Sequence, residues 1–202
     1  MKRILIVLTL LCFSIGSAYS QGKKVRRIDL PEGDLKWSYE RPKDAKFCVP
    51  AAFTDTIGGE SKIIGQYRYK GEIRQKRIKK MVIVSLKGNM FYISDKWLSD
   101  NGFQQWPLVY DSKTIKFNKD PNKEFRRALC KDKNGEVFLL QSNIPMTLSD
   151  FAVECSKCST NATYLDMGKY GYGYIKKNNI ERPLFVWGIG TQHKQTNWLY
   201  IE

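Results

Sequence analysis

The chain has one histidine in 202 residues, His193. A Ser-His-Asp relay would rest on that side chain alone. It sits in a polar stretch, Thr191-Gln192-His193-Lys194, where nothing nearby marks it as a base or ligand, and it reads as an exposed loop residue. There is no Gly-x-Ser-x-Gly elbow, no Gly-rich phosphate loop and no His-Glu-x-x-His. The corresponding serine-hydrolase, P-loop and zincin chemistries are excluded. No repeat of roughly 20–50 residues and no low-complexity tract is visible. Acidic residues are scarce, 20 against 34 Lys and Arg, which leaves a formal charge of +14.

Apolar runs are short. The longest, Ile4 to Phe13, is below membrane-spanning length and follows Lys2 and Arg3. Ala18-Tyr19-Ser20 then offers the small residues a signal peptidase reads, so residues 1–20 are expected to be a signal peptide cleaved before Gln21. Cys12 follows Leu10-Leu11 without the small residue of a lipoprotein signal, so no lipid anchor is expected. The mature chain is expected to be exported, periplasmic or secreted, with no transmembrane segment. Losing Lys2 and Arg3 takes the charge from +14 to +12.

Residues 21–45 are polar and read as a lead-in arm, with one edge strand around Leu35 to Tyr39. Residues 46–202 read as one domain, long enough to bury about 70% of its extended surface. The basic balance fits nucleic acid, an anionic membrane or an acidic glycan. Export argues against nucleic acid, which leaves an anionic membrane or an acidic glycan. The densest basic run, Arg74 to Lys80, reads as a solvated strand end or loop, with a polyanion contact as the alternative.

Four cysteines follow residue 20: Cys48, Cys130, Cys155 and Cys158. An even number in an oxidising compartment points to disulfides, with three pairings open. Cys155-Ser-Lys-Cys158 closing on itself would leave Cys48 with Cys130. Free thiols, a redox pair and a zinc site are the alternatives.

From Lys46 onward, short strands alternate with turn residues. Lys62 to Tyr69 reads as a strand, turned by Lys70-Gly71 into Glu72 to Ile78. Met81 to Leu86 turns through Lys87-Gly88-Asn89 into Met90 to Ser94. Pro107 to Tyr110 and Thr114 to Phe117 flank Asp111-Ser112-Lys113. Arg127 to Lys131 and Glu136 to Gln141 flank Asp132-Lys133-Asn134-Gly135, the clearest hairpin signal. Thr147-Leu148-Ser149-Asp150 opens a helix, with a hydroxyl cap and a carboxylate three residues on. Leu148, Phe151, Ala152 and Cys155 form its apolar face. Asp95 to Asn101 reads as a second, shorter helix. Ala162 to Leu165, Leu184 to Ile189 and Trp198 to Ile201 read as strands. The expected class is α+β: mainly antiparallel hairpins in a mixed sheet, with one or two helices packed on it.

The stretch Asn161 to Gly171 carries the most chemistry. An apolar strand runs into Asp166, and Gly168 and Gly171 follow. A carboxylate at a strand end can orient a sugar hydroxyl, bind a cation or move a proton, although Asp-x-Gly is also an ordinary turn. Arg126-Arg127 enters a hairpin strand, and a guanidinium suits phosphate oxygens, although a β-edge arginine is also ordinary. Trp106, Tyr170, Tyr172, Tyr174 and Trp187 are candidates for stacking on a sugar ring or for packing.

Four segments in order resemble the phosphodiester glycosidase family: Arg126 to Cys130, Asn134 to Leu140, Met146 to Ala152, and Asn161 to Gly168. They match an arginine strand, a Gly-turned hairpin, a threonine-leucine helix start, and a strand ending in Asp-Gly-Gly. Phe47 to Asp55 and Gln104 to Val109 are similar to two earlier family segments. The resemblance covers residues 46–202. It implies hydrolysis of a glycosyl phosphodiester on a phosphorylated glycan or anionic surface polymer, with Arg126 holding the phosphodiester and Asp166 acting at the sugar. It also implies substrate contacts from Gly168, Gln104 and Asp55, with Arg127 the register alternative to Arg126. It names no cofactor and no metal ligand. The chain departs from the family at Ala51-Ala52, Trp106, Met167 and Lys169 to Gly173. A family member that binds glycan or protein without turnover is the second implied function. A basic scaffold adhering to anionic polymer is the third reading.

Overall fold

The computed structural model describes residues 23–57, 60–118, 120–167, 172–184 and 196–202. The segment assigned as a signal peptide lies outside the described residues, as do Gly168, Tyr170, Trp187 and His193.

The strands, in chain order, are β1 Val25–Asp29, β2 Lys36–Ser38, β3 Phe47–Pro50, β4 Thr54–Ile57, β5 Glu60–Ile63, β6 Tyr67–Tyr69, β7 Glu72–Arg74, β8 Val82–Lys87 and β9 Met90–Ser94. They continue with β10 Gly102–Gln105, β11 Pro107–Tyr110, β12 Lys113–Thr114, β13 Arg127–Lys131, β14 Val137–Ser142, β15 Asn161–Leu165, β16 Tyr174–Lys177, β17 Ile180–Pro183 and β18 Trp198–Ile201. One helix, α1 Leu148–Ser156, lies between β14 and β15. A six-stranded sheet has the order β1-β14-β13-β15-β11-β12. Two five-stranded sheets run β7-β6-β10-β8-β9 and β17-β16-β3-β18-β2, and β4 and β5 form a separate ribbon.

The expected α+β class is corrected. Among the described residues every strand pairing is antiparallel, so the sheets are not mixed, and α1 is the one helix. The architecture is mostly antiparallel β. Asp95 to Asn101 is not a helix; side chains and distant strands hold its backbone. Ser94 Oγ accepts the Lys96 N–H and Ser85 Oγ accepts the Leu98 N–H. The Asp100 and Asn101 carbonyls accept from Gly71 and Leu86. These partners hold the segment as a connection between β9 and β10.

Lys62 to Tyr69 is likewise two strands in two sheets, parted at Gly65, where φ is +92°. The arm at 21–45 supplies both β1, paired along its length with β14, and β2, paired with β18. Of the Leu184 to Ile189 strand, only Leu184 is described, and it follows β17. Among the described residues, no helix is long and apolar enough to cross a membrane.

Alternation along β13 and β15 sorts the core into two layers. On one side of the six-stranded sheet, Ala128, Cys130, Ala162 and Tyr164 pack with Phe151, Ala152 and Cys155 of α1. On the other, Leu129 and Leu165 join Val49, Val84, Phe103 and Leu199 from the two five-stranded sheets. A Cβ on Gly102 would meet the Val84 carbonyl oxygen at 2.2 Å, so β10 and β8 come this close only with glycine there. α1 starts as the sequence signals: Thr147 Oγ1 accepts the Asp150 N–H at 3.0 Å and donates to Asp150 Oδ2 at 2.8 Å.

Candidate functional site

β13 and β15 pair with Arg127 opposite Leu165 and Ala128 opposite Tyr164. Arg126 and Asp166 are the residues immediately beyond the last pair of this register, Arg127–Leu165. Strand alternation puts Arg126, Tyr164 and Asp166 on the α1 side of the sheet and Arg127 on the other. The Arg126 guanidinium carbon lies 5.9 Å from the Tyr164 ring centre. Burial, and then the Asp166 charge, pushes the Tyr164 hydroxyl up to about 12, with the Arg126 charge opposing. The three groups share one electrostatic space at the end of the sheet.

Arg126 is only 6% exposed, and its donors are engaged. Nε donates to the Met146 carbonyl at 3.2 Å, and Nη2 to Asp120 Oδ2 at 2.8 Å and the Asn122 carbonyl at 2.9 Å. Nη1 lies 3.3 Å from Glu124 Oε2. Asp120 Oδ2 also accepts the Leu148 N–H at 3.1 Å, so one carboxylate ties Arg126 to the first turn of α1.

Asp166 is buried too, and its Oδ2 accepts the Thr54 N–H at 2.9 Å while its own N–H donates to the Ala51 carbonyl. The segment Ala51 to Thr54, which has no regular pairing until β4 begins, is held from three directions. Asp166 is one. Gln105 Nε2 donates to the Ala51 carbonyl at 3.0 Å. Asn197 clasps Ala52, Oδ1 accepting its N–H at 2.6 Å and Nδ2 donating to its carbonyl at 3.0 Å.

The other expected site residues lie apart from this pair. Gln104 is fully buried on β10, one position from Gln105 and therefore on the opposite side of its strand. Its Oε1 accepts from Gln66 and Ile78, and its Nε2 donates to the Ile78 and Met81 carbonyls, which pins the basic 74–80 stretch. Asp55 is exposed on β4, across from Lys62. Gly168 is outside the described residues.

Arg127 is fully buried, with Nε and Nη2 both on Gln141 Oε1 and Nη1 on the Tyr172 carbonyl at 2.8 Å. No carboxylate meets it among the described residues. Burial, with Arg26 nearby, pushes its guanidinium down to about 9. Gly173 passes so close that a Cβ there would sit 3.0 Å from Arg127 Nη1.

Of the aromatics considered for stacking, Tyr172 and Tyr174 pack edge-on with each other and Tyr172 with Trp198. Trp106 packs half-buried against the α1 layer, and Met167 is buried. Sequence reasoning missed Asp120, Glu124, Tyr164, Gln105 and Asn197. Tyr164 and Gln105 were reachable from the period-two rule, since they share sides with Asp166 and the Ala51 turn. Asp120 and Glu124 had no signal beyond lying close before Arg126. Among the described residues, no group of three His, Cys, Asp or Glu side chains is arranged to hold a metal ion.

No protein-family model matches the chain, and no curated protein matches it by sequence. A solved structure does. The chain is similar to the catalytic domain of zebrafish N-acetylglucosamine-1-phosphodiester α-N-acetylglucosaminidase, auto-inhibited by its pro-peptide, at 14% identity and a TM-score of 0.55. The match covers 85% of this chain and 73% of that one. At that identity the relationship is a distant one of fold.

Proposed function

We propose that this chain is an exported glycosyl-phosphodiester hydrolase acting on a phosphorylated glycan or surface polymer. The observation that carries the reading is the cross-strand position of Arg126 and Asp166, on one side of the sheet and both acting on Tyr164. A fold shared with a phosphodiester glycosidase domain supports it.

In this reading the sugar C1–O bond breaks and a phosphomonoester leaves. A phosphate ester is a good leaving group and needs negative-charge stabilisation more than a proton. Arg126 supplies that charge. Its Nε and Nη2 stay anchored on Met146, Asp120 and Asn122, while the exposed Glu124 swings away and gives Nη1 to a phosphate oxygen. The phosphate replaces the carboxylate on the same guanidinium, so the buried charge of Arg126 is never left unpaired. Asp166, oriented by the Thr54 N–H, faces the positive charge that develops at C1 and takes the proton of the attacking water. No metal or cofactor is part of this scheme.

The test is substrate choice. The purified chain should release free sugar from a synthetic glycosyl-1-phosphodiester and leave the matching neutral alkyl glycoside intact. Equal background rates on both would end the proposal. A second reading, glycan binding without turnover, is favoured by one observation: Asp120 and Glu124 already neutralise Arg126. It predicts saturable binding of a glycan, with no sugar released from the phosphodiester.

A further inference from the structure

The connection that follows β2 builds a cleft away from Arg126. It leaves the strand at Ser38, whose Oγ accepts the Glu40 N–H at 2.9 Å, and is tied back at Lys46, whose N–H donates to the Ile201 carbonyl at 2.7 Å. Residues 38–44 line a cavity of about 510 Å³ together with Tyr69 of β6, Tyr200 of β18 and Glu202. Tyr69 is braced edge-on by Tyr39 and Trp37, at ring distances of 5.0 and 6.1 Å. Tyr200 pairs across the strands with Lys36, whose ammonium is bound to Glu202. The cleft lies at the far end of β18 from Asn197, which clasps Ala52 next to the Ala51 carbonyl that Asp166 holds. It is therefore separate from the Arg126–Asp166 pair.

Ring surface, donors and acceptors meet in this cleft. Tyr69 and Tyr200 are half-buried, and neither hydroxyl has a hydrogen-bond partner among the described residues. Arg41 is held in place without a carboxylate. Its guanidinium carbon lies 5.3 and 5.8 Å over the Tyr172 and Tyr174 rings, and Nη2 donates to the Tyr172 hydroxyl at 2.7 Å. Among the described residues its Nε and Nη1 are uncommitted, and the exposed Glu40, Lys43 and Asp44 side chains have no partner. On a chain charged +14, the cleft is balanced: Arg41 and Lys43 stand against Glu40 and Asp44, and Lys36 neutralises Glu202. A polyanion gains nothing here by charge. An uncharged sugar does gain, because its hydroxyls donate and accept in equal measure and its C–H faces suit tyrosine rings.

We propose that the cleft between Tyr69, Tyr200 and the 38–44 connection binds an uncharged saccharide unit, as a glycan site separate from the hydrolytic one. The sugar rests on the two tyrosines and takes hydrogen bonds from their hydroxyls. Arg41 donates to it from Nε and Nη1, and Asp44 accepts from its hydroxyls. The site goes beyond the hydrolase reading and does not depend on it, since a chain that hydrolyses nothing would still hold sugar here. Where a phosphorylated polymer is the substrate, the cleft takes its uncharged units and the Arg126–Asp166 end takes its phosphodiester.

The folded full-length chain is titrated by calorimetry with cellohexaose, mannohexaose, xylohexaose and chitohexaose, and with dextran sulfate and a proline-rich peptide as the charged and peptide probes. At least one uncharged hexasaccharide should saturate a single site, with an affinity that high salt leaves unchanged. Asp44→Ala should weaken that affinity about tenfold and Tyr200→Phe about fivefold, as for the loss of a charged and a neutral hydrogen bond. Neither substitution removes a group with a partner among the described residues, so both variants should melt with the parent. Asp166→Asn should bind as the parent does, which separates this cleft from the hydrolytic site. The proposal is overturned if no hexasaccharide saturates, or if only dextran sulfate or the peptide binds. It is overturned equally if Asp44→Ala and Tyr200→Phe bind unchanged, or if Asp166→Asn loses the sugar.

Discussion

The Glu124 carboxylate meets Arg126 Nη1 at 3.3 Å from the solvent side, with 59% of its side chain exposed against 7% of the arginine's. Asp120 holds the same guanidinium from a more buried position, at 2.8 Å and 24% exposed. The two carboxylates therefore do different work. Asp120 fixes Arg126 and the start of α1, and Glu124 occupies the position that an incoming phosphate would take.

Glu124→Gln removes that competitor. KM for a glycosyl-1-phosphodiester should fall about fivefold with kcat unchanged, the equivalent of ~1 kcal/mol. Stability should stay within about 0.5 kcal/mol of the parent, as for other surface changes. Steady-state kinetics on the variant checks this, and a rise in KM would show that Glu124 helps to hold substrate.

Gln104 serves the fold rather than the Arg126–Asp166 pair. Gln104→Met keeps the volume and strands the Gln66 and Ile78 N–H groups and the Met81 carbonyl, while the Ile78 carbonyl keeps the Met81 N–H. The expected loss is about 3 kcal/mol, because buried polar groups without partners carry their full desolvation cost. Urea denaturation measures it, and a change below about 1 kcal/mol would mean that water replaces the amide.

Stability should fall in alkali. The Cys48 thiol is pushed by burial from 9.0 up to about 12, and the Tyr164 hydroxyl from 10.0 to about 12. Both pKa values are raised on folding, so the unfolded chain releases these protons first. Their contribution is intact below about pH 9 and is lost as pH rises toward 12, at roughly 1.4 kcal/mol per pH unit for each group while only the unfolded form is ionised. Urea midpoints at about pH 8, 9, 10 and 11 under reductant should be level at first and then drop. A flat profile to pH 11 would contradict the burial of these groups.

Parts of this molecule are plain in the sequence and parts are not, for physical reasons. The α1 start was readable because Thr147 and Asp150 satisfy each other within one turn. The β13–β14 hairpin was readable because Gly135 takes a positive φ of 87° next to Asp132, whose Oδ1 accepts the Asn134 and Glu136 N–H groups. The β16–β17 hairpin went unread, although Asn178 and Asn179, at φ of 52° and 59°, form its turn. Its strands are half-exposed and carry Lys176, Lys177, Glu181 and Arg182, so no apolar alternation announced them. At the site, Arg126 and Asp166 were legible as residue types at strand ends. What surrounds them was not, because Asn197, Gln105 and Tyr164 reach it only through pairings between distant strands.

The most direct test of the account is sugar release from a glycosyl-1-phosphodiester by the parent chain and by Asp166→Asn, which keeps the size of the side chain and the acceptor for the Thr54 N–H. The account predicts turnover by the parent, and a fall of at least about a hundredfold in kcat for the variant with binding retained. Equal rates for the two proteins would contradict it.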